Sequence, residues 1–80
     1  MTQPSKDFLF AISMVTTARK GMTVITVCDI LEEEFGKSLT YYGRVDRVRN
    51  KDARWDYEGG NRGFVFRNAS DAVWFKMRYL

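Results

Sequence analysis

The fold is decided by the stretch Arg62-Gly63-Phe64-Val65-Phe66-Arg67-Asn68-Ala69-Ser70-Asp71-Ala72-Val73-Trp74-Phe75. Its aromatic and β-branched residues over 62–67 predict a short strand. Ser70 is typical of a helix N-cap, and Asp71 would lie in the first helical turn, where hydrogen bonding and the helix dipole favour a carboxylate. The stretch therefore predicts a strand that leads directly into a final helix.

Upstream of this joint, the pattern predicts two more strands. Gly59-Gly60-Asn61 is typical of a hairpin loop, and the residues before it, 54–58, predict the partner strand. Residues 39–49 follow a period of two and predict another strand, with a turn at 50–53. Together these segments predict a three-stranded antiparallel meander.

The N-terminal half predicts a strand and a helix. Residues 8–17 are rich in β-branched and aromatic types, which favours a strand, and 18–22 would form the following turn. Thr23 can cap a helix that ends at Gly36. Its apolar residues recur at helical spacing and form one stripe, Val24, Val27, Cys28, Leu31 and Phe35.

The predicted architecture is α+β, an antiparallel sheet in the order strand, helix, three-stranded meander, helix, with both helices on one face. Eighty residues with 45% apolar content predict a single folded domain, 1–80, with residues 1–7 as a flexible polar arm. One detail of the first helix is unusual. Glu32, Glu33 and Glu34 lie near its C-terminal end, where the dipole disfavours negative charge, and they are expected to be solvated.

Counting residue types excludes several chemistries. The chain has no His, so His bases, Ser-His and Cys-His pairs and most zinc sites are absent. The single cysteine, Cys28, cannot form an internal disulfide, which suits the cytoplasm. No apolar run is long enough for a membrane span, and no signal peptide is evident. We therefore expect a cytoplasmic protein that is not an enzyme and needs no metal or cofactor.

The positive charge is concentrated in the C-terminal half. Residues 1–36 carry three Lys/Arg against five Asp/Glu, whereas 37–80 carry ten against five. Guanidinium groups neutralise phosphates, and aromatic rings stack on bases, so this half predicts RNA binding of low sequence specificity. The candidate residues lie on the predicted meander and its turns: Arg44, Arg47, Arg49, Lys51, Arg54, Arg62, Arg67, Tyr41, Tyr42, Trp55 and Tyr57. The alternative is a solvated face whose cations pair with neighbouring acids.

The final helix is apolar on nearly every side. At 100° per residue, Val73, Trp74, Met77 and Leu80 cover one side, and Ala72, Phe75 and Tyr79 cover the other. A terminal helix of so small a domain cannot bury all of this surface, so one side is expected to contact a protein partner or a second copy. The candidate interface residues are Trp74, Phe75, Met77, Arg78 and Tyr79.

Part of this pattern resembles RNA-recognition motifs. The resemblance covers roughly residues 8–79 and rests on Leu31 to Phe35 before Gly36, Gly43-Arg44-Val45, and Arg62-Gly63-Phe64-Val65-Phe66 with Asp71-Ala72. It implies that the first and third family strands expose aromatics for base stacking, here Phe10, Phe64 and Phe66. The opposite alternation, which the residues slightly favour, places Phe64 and Phe66 inside and Val65 and Arg67 outside.

The C-terminal segment from Phe66 to Arg78 also resembles the ends of small accessory proteins of T-even-type bacteriophages. This resemblance implies a protein that binds and redirects a host factor. Inhibitors of host endoribonuclease toxins in that group are similarly small and basic.

We therefore expect a non-enzymatic, phage-type binding protein that contacts RNA and a host protein and forms a homodimer. Its target would be a host nuclease toxin or another component of a defence system. One alternative is a direct protein inhibitor that binds no nucleic acid. The other is a winged-helix DNA-binding regulator, in which residues 8–20 would be helical and Arg44 and Arg47 would face DNA.

Overall fold

The computed structural model describes residues 8–42, 47–49, 52–59 and 62–80, and for 40–42 and 47–49 it describes the backbone. The fold is α+β, as the sequence predicts. Within the described residues, five short strands and three helices follow in the order β1 (Phe10–Ile12), α1 (Met14–Arg19), α2 (Val24–Phe35), β2 (Thr40–Tyr42), β3 (Arg47–Arg49), β4 (Trp55–Tyr57), β5 (Phe64–Phe66) and α3 (Ala69–Tyr79).

The main sheet has three antiparallel strands in the order β1-β5-β4. The central strand is β5. Phe66 pairs with Phe10 of β1 on one side and with Trp55 of β4 on the other. The hairpin between 54–58 and 62–67 is therefore confirmed, but the predicted meander is wrong, because its third strand comes from the N-terminal region of the chain.

The predicted strand over 8–17 is shorter than expected, because a helix begins within it. Strand β1 ends at Ile12, and the side chain of Ser13 then caps α1 by accepting a hydrogen bond from the amide of Val15 at 3.1 Å. The hydroxyl of Thr17 donates to the carbonyl of Met14 at 3.0 Å. Hydroxyl groups can satisfy the backbone locally in this way, and here they outweigh the β propensity of Val15, Thr16 and Thr17.

The predicted strand over 39–49 is also wrong. In the structure this segment supplies two strands, β2 and β3, which pair with each other as an antiparallel hairpin separate from the main sheet. Thr40 pairs with Arg49, and Tyr42 pairs with Arg47. The alternating pattern is the same for one long strand and for two short ones, so it did not reveal the reversal.

Helix α2 agrees with its prediction. The hydroxyl of Thr23 accepts from the amide of Thr26 at 3.2 Å, and Val27 and Leu31 are buried. Gly36 ends the helix with a φ of 87°, a conformation that glycine adopts without steric cost.

Helix α3 begins two residues earlier than expected. Asn68 occupies the N-cap position without a side-chain hydrogen bond, so Ser70 is not the cap. Asp71 lies in the first turn, as predicted, and both of its carboxylate oxygens accept from Arg54, at 3.0 Å and 2.6 Å. This two-bond contact links the start of α3 to the residue before β4.

One face of the sheet packs against both long helices. Paired strand positions share a face, and Ile12, Trp55, Phe64 and Phe66 project to the same side. They form one cluster with side chains of α2 and α3, namely Val27, Leu31, Ala72 and Phe75. The inward alternative for Phe64 and Phe66 is thus confirmed.

The other face of the sheet is covered too. Val65, expected on the outside, is fully buried in a second cluster with Phe8, Leu39 and Ala53. The guanidinium of Arg67 lies over the Phe8 ring at 4.8 Å from its centroid. Because Phe8 and Leu39 cover Val65, the middle of this sheet does not offer an open aromatic face.

The end of β1 approaches Gly63 closely. Gly63 has a φ of 82°, and a Cβ atom placed on it would lie 2.7 Å from the carbonyl oxygen of Ile12. Glycine is therefore required here for two reasons, the backbone conformation and the space.

Candidate functional site

The outer side of helix α3 exposes large apolar side chains. Ala72 and Phe75 pack into the core, whereas Val73 and Met77, one helical turn apart, face away from it, and Met77 is 82% exposed. Leu80 is partly buried against the core. An exposed apolar stripe on a helix that is well packed on its other side is typical of an interaction surface.

Beside this stripe lies a groove between the C-terminal halves of α2 and α3. Its volume is about 200 Å³, and it is lined by Ile30, Glu33, Glu34, Trp74, Arg78 and Tyr79. That volume is below the range of about 300 to 1,000 Å³ typical of small-molecule pockets. The groove is therefore suited to a side chain rather than to a cofactor.

Aromatic contacts give the groove its shape. The ring of Trp74 packs edge-on against Phe35, with centroids 5.2 Å apart, and against Tyr79, with centroids 6.2 Å apart. Tyr79 also packs on buried Phe75 at 5.1 Å. The guanidinium of Arg78 lies 5.0 Å from the Trp74 centroid, which is within the range of a cation–π contact.

Two carboxylates stand on the α2 side of the groove. Glu33 and Glu34 are exposed, and neither takes part in an ion pair within the part of the chain that the structure describes. Their neighbour Glu32 differs, because it pairs with Lys37. With Arg78 as the cation of the lining, the groove is acidic on a protein whose net charge is +3.

The arginines predicted to bind RNA make contacts within the chain wherever their side chains are described. Arg54 binds Asp71 and lies over the Phe35 ring at 4.6 Å, and hydrogen bonding to Asp71 raises its pKa. Arg62 donates to both oxygens of Glu58, at 3.0 Å and 2.7 Å, and to the carbonyl of Phe8, and the bond to Glu58 raises its pKa. Arg67 donates to the carbonyl of Ala53 at 3.2 Å. These guanidinium groups hold the fold together.

The aromatic residues predicted to stack on bases are divided. The prediction that Trp55 stacks on bases must be corrected. This residue is 3% exposed, and its indole N–H donates to the carbonyl of Gly36 at 2.8 Å, so its ring belongs to the core. Tyr57 is partly buried, and its hydroxyl donates to the sulfur of Met14 at 2.9 Å. Arg44 and Lys51 lie outside the described residues, and Tyr41, Tyr42, Arg47 and Arg49 have a described backbone in β2 and β3.

The predicted partner interface is brought together in part. Trp74, Arg78 and Tyr79 line the groove, and Met77 lies beside it. The prediction that Phe75 lies at the interface must be corrected, since this residue is 1% exposed and packs in the core. The prediction did not include Ile30, Glu33 and Glu34. The unfavourable position of the glutamates at the end of their helix was the signal that could have found them.

The thiol of Cys28 is not a reactive group. Burial, together with the negative charges of Asp29, Glu32 and Asp56, raises its pKa to about 11. A thiol with such a pKa stays protonated at neutral pH, and the thiolate is the form that reacts and binds metals.

The described residues contain no cluster of three or more His, Cys, Asp or Glu that could hold a metal ion. None of the helices in those residues combines the length and the apolar character needed to cross a bilayer. No protein family, curated protein or solved structure matches this chain. The features of the molecule that bear on its function are therefore the surface of α2 and α3 and the charge distribution.

Proposed function

We propose that this protein is a non-enzymatic binding protein that contacts another protein through helix α3. The observation that supports this most is the apolar stripe of Val73 and Met77 next to the groove that contains Trp74. Large aromatic and sulfur-containing side chains are enriched at protein interfaces, and buried tryptophans often dominate the binding energy.

A host protein is the proposed target. The resemblance of the C-terminal segment to accessory proteins of T-even-type phages supports this choice, and that segment includes the α3 residues of the stripe. In this proposal the protein inhibits a host nuclease toxin or another component of a defence system in the cytoplasm.

Affinity purification from the natural host cell tests the proposal. Met77→Asp places a charge in the stripe, and we expect it to abolish capture of the partner. Ile25→Asp is the matched control, because Ile25 is 74% exposed on α2 and belongs to neither the stripe nor the groove lining. Ribonuclease treatment should leave the complex intact. Equal capture by both variants, with unchanged circular dichroism, would contradict the proposal.

RNA binding is the second candidate function, and the charge balance favours it. Residues 37–80 carry a net +5. Among the five acidic residues of this segment, Asp71 forms an ion pair with Arg54, and Glu58 forms one with Arg62. Arg67 has an exposed side chain and donates to a carbonyl, which carries no neutralising charge. This excess would attract a polyanion.

A filter-binding assay with labelled single-stranded RNA tests this second candidate. Affinity should fall steeply as salt rises, because bound phosphates release counterions. Replacing Arg44, Arg47 and Arg49 with alanine should reduce the slope of log K against log salt by about 2. Retention at low salt no better than that of a neutral protein would eliminate RNA as a ligand.

A further inference from the structure

We propose that the groove between α2 and α3 receives an arginine or lysine side chain from an apolar segment of the protein partner. This inference rests on the proposed protein-binding function and adds the chemistry of the segment that is recognised. It assigns the α2 glutamates and the α3 aromatics to one site, with the apolar stripe as its extension.

The aromatic rings that line the groove suit a cation. Trp74 is half-buried, and a tryptophan face attracts a cation through its quadrupole. In the structure this face already holds one, because the guanidinium of Arg78 lies 5.0 Å from the Trp74 centroid. Tyr79 stands at an interplanar angle of 61° to Trp74, so the two rings form adjoining walls. A partner cation would enter beside these rings and compete with Arg78 for Trp74.

The charges of the groove lining are complementary to a cation. Glu33 and Glu34 line the groove and form no ion pair among the described side chains, although the charge of Glu34 also acts on Arg54. An acidic peptide or a nucleic acid would be repelled by the same carboxylates. The charge of the groove therefore selects a basic segment.

The groove is continuous with the apolar stripe. Val73 and Met77 each precede a groove residue, Trp74 and Arg78, and so lie about 100° away around the same helix. A segment with a basic residue in the groove would place its neighbouring apolar residues on the stripe. The small volume of the groove matches one long side chain, and the stripe supplies the rest of the contact.

Nuclear magnetic resonance of the full chain tests this directly, because its two tryptophans report on different places. The indole of Trp74 lines the groove, whereas that of Trp55 is bonded to Gly36 in the core and serves as an internal control. The probe is the peptide Ala-Leu-Arg-Leu-Ala, and the same peptide with glutamine in place of arginine is its control. Each is titrated to about 10 mM, since one exposed cation site is expected to bind near the millimolar range.

We expect the arginine peptide to shift the Trp74 indole signal in a saturable way and to leave that of Trp55 unchanged. Changing Glu33 and Glu34 together to glutamine should weaken binding about three- to tenfold. Arg78→Gln should strengthen it about two- to fivefold, because the competing cation is removed. Lys76→Gln removes a charge from the same helix outside the groove lining and should have less effect than either.

Equal shifts with the glutamine peptide would overturn the proposal, and so would an unshifted Trp74. A Trp74 signal that moves when the protein alone is diluted would also overturn it, because the occupant would then be a second copy. Failure of the groove proposal is distinguishable from failure of the proposed protein-binding function. If Met77→Asp abolishes partner capture while the peptide does not bind, α3 is an interface that does not recognise a basic side chain.

Discussion

At the residue scale, Gly63 lies at a point where the backbone leaves no room for a side chain. Gly63→Ala would place a methyl group 2.7 Å from the carbonyl oxygen of Ile12 and force a non-glycine residue to a φ of 82°. We expect a loss of about 3 kcal/mol or more in the free energy of unfolding, from strain and overpacking together. Urea denaturation monitored by circular dichroism measures it.

Gly59→Ala is the matched control for this prediction. Gly59 has a φ of 64°, but nothing lies within 4 Å of a Cβ atom at that position. Its substitution carries the conformational strain alone, about 1 kcal/mol. If the two variants are equally stable, the approach of β1 to Gly63 does not constrain the fold.

Cys28 is also a single residue with a measurable consequence. The folded state raises the pKa of its thiol from 9.0 to about 11, so folding favours the protonated form. This contribution to stability is complete below pH 9 and is lost as the pH rises from about 9 to about 11. The unfolding free energy of the wild type should fall more across this window than that of Cys28→Ala, in which the other titrating groups are unchanged. Parallel curves for the two proteins would contradict the raised pKa.

At the scale of elements, the bond between Arg54 and Asp71 fixes the start of α3. Asp71 is buried and accepts two charge-assisted hydrogen bonds, whereas Glu32 and Lys37 form an exposed pair. Asp71→Asn should cost about 2 kcal/mol of unfolding free energy, because it weakens both bonds and removes a favourable dipole interaction. Glu32→Gln should cost at most about 0.5 kcal/mol. Thermal unfolding of both variants provides the comparison, and a similar cost for each would contradict the structural role of Arg54.

The elements also show what sequence could and could not predict. Helix α2 was predictable because Thr23, the apolar stripe and Gly36 are all local signals. The hairpin of β4 and β5 was predictable for the same reason. The pairing of β1 with β5 and the reversal between β2 and β3 depend on distant contacts, which periodicity does not encode. The structural roles of Arg54 and Trp55 could not be predicted either, since their hydrogen-bond partners Asp71 and Gly36 are distant in sequence.

At the scale of the whole molecule, the apolar stripe bears on assembly. We expect a homodimer in which the stripe residues Val73 and Met77 are covered, because a stripe of this kind is costly to leave in water when no other partner is present. Light scattering should then report about twice the chain mass of 9.4 kDa. Met77→Asp should shift the mass to that of the monomer, and Ile25→Asp should not. A wild-type protein that stays monomeric at high concentration would leave the stripe for a foreign partner.

The strand order has a consequence for how the protein is made. The central strand, β5, is synthesised well after β1, because two helices and three strands lie between them, yet β1 can join the sheet only by pairing with β5. Contacts between such distant segments form slowly, because a long loop must close first. During translation the apolar residues of β1 must therefore wait until β5 has left the ribosome. A nascent chain that stops before Phe64 should remain without its sheet, however stable its first helices are.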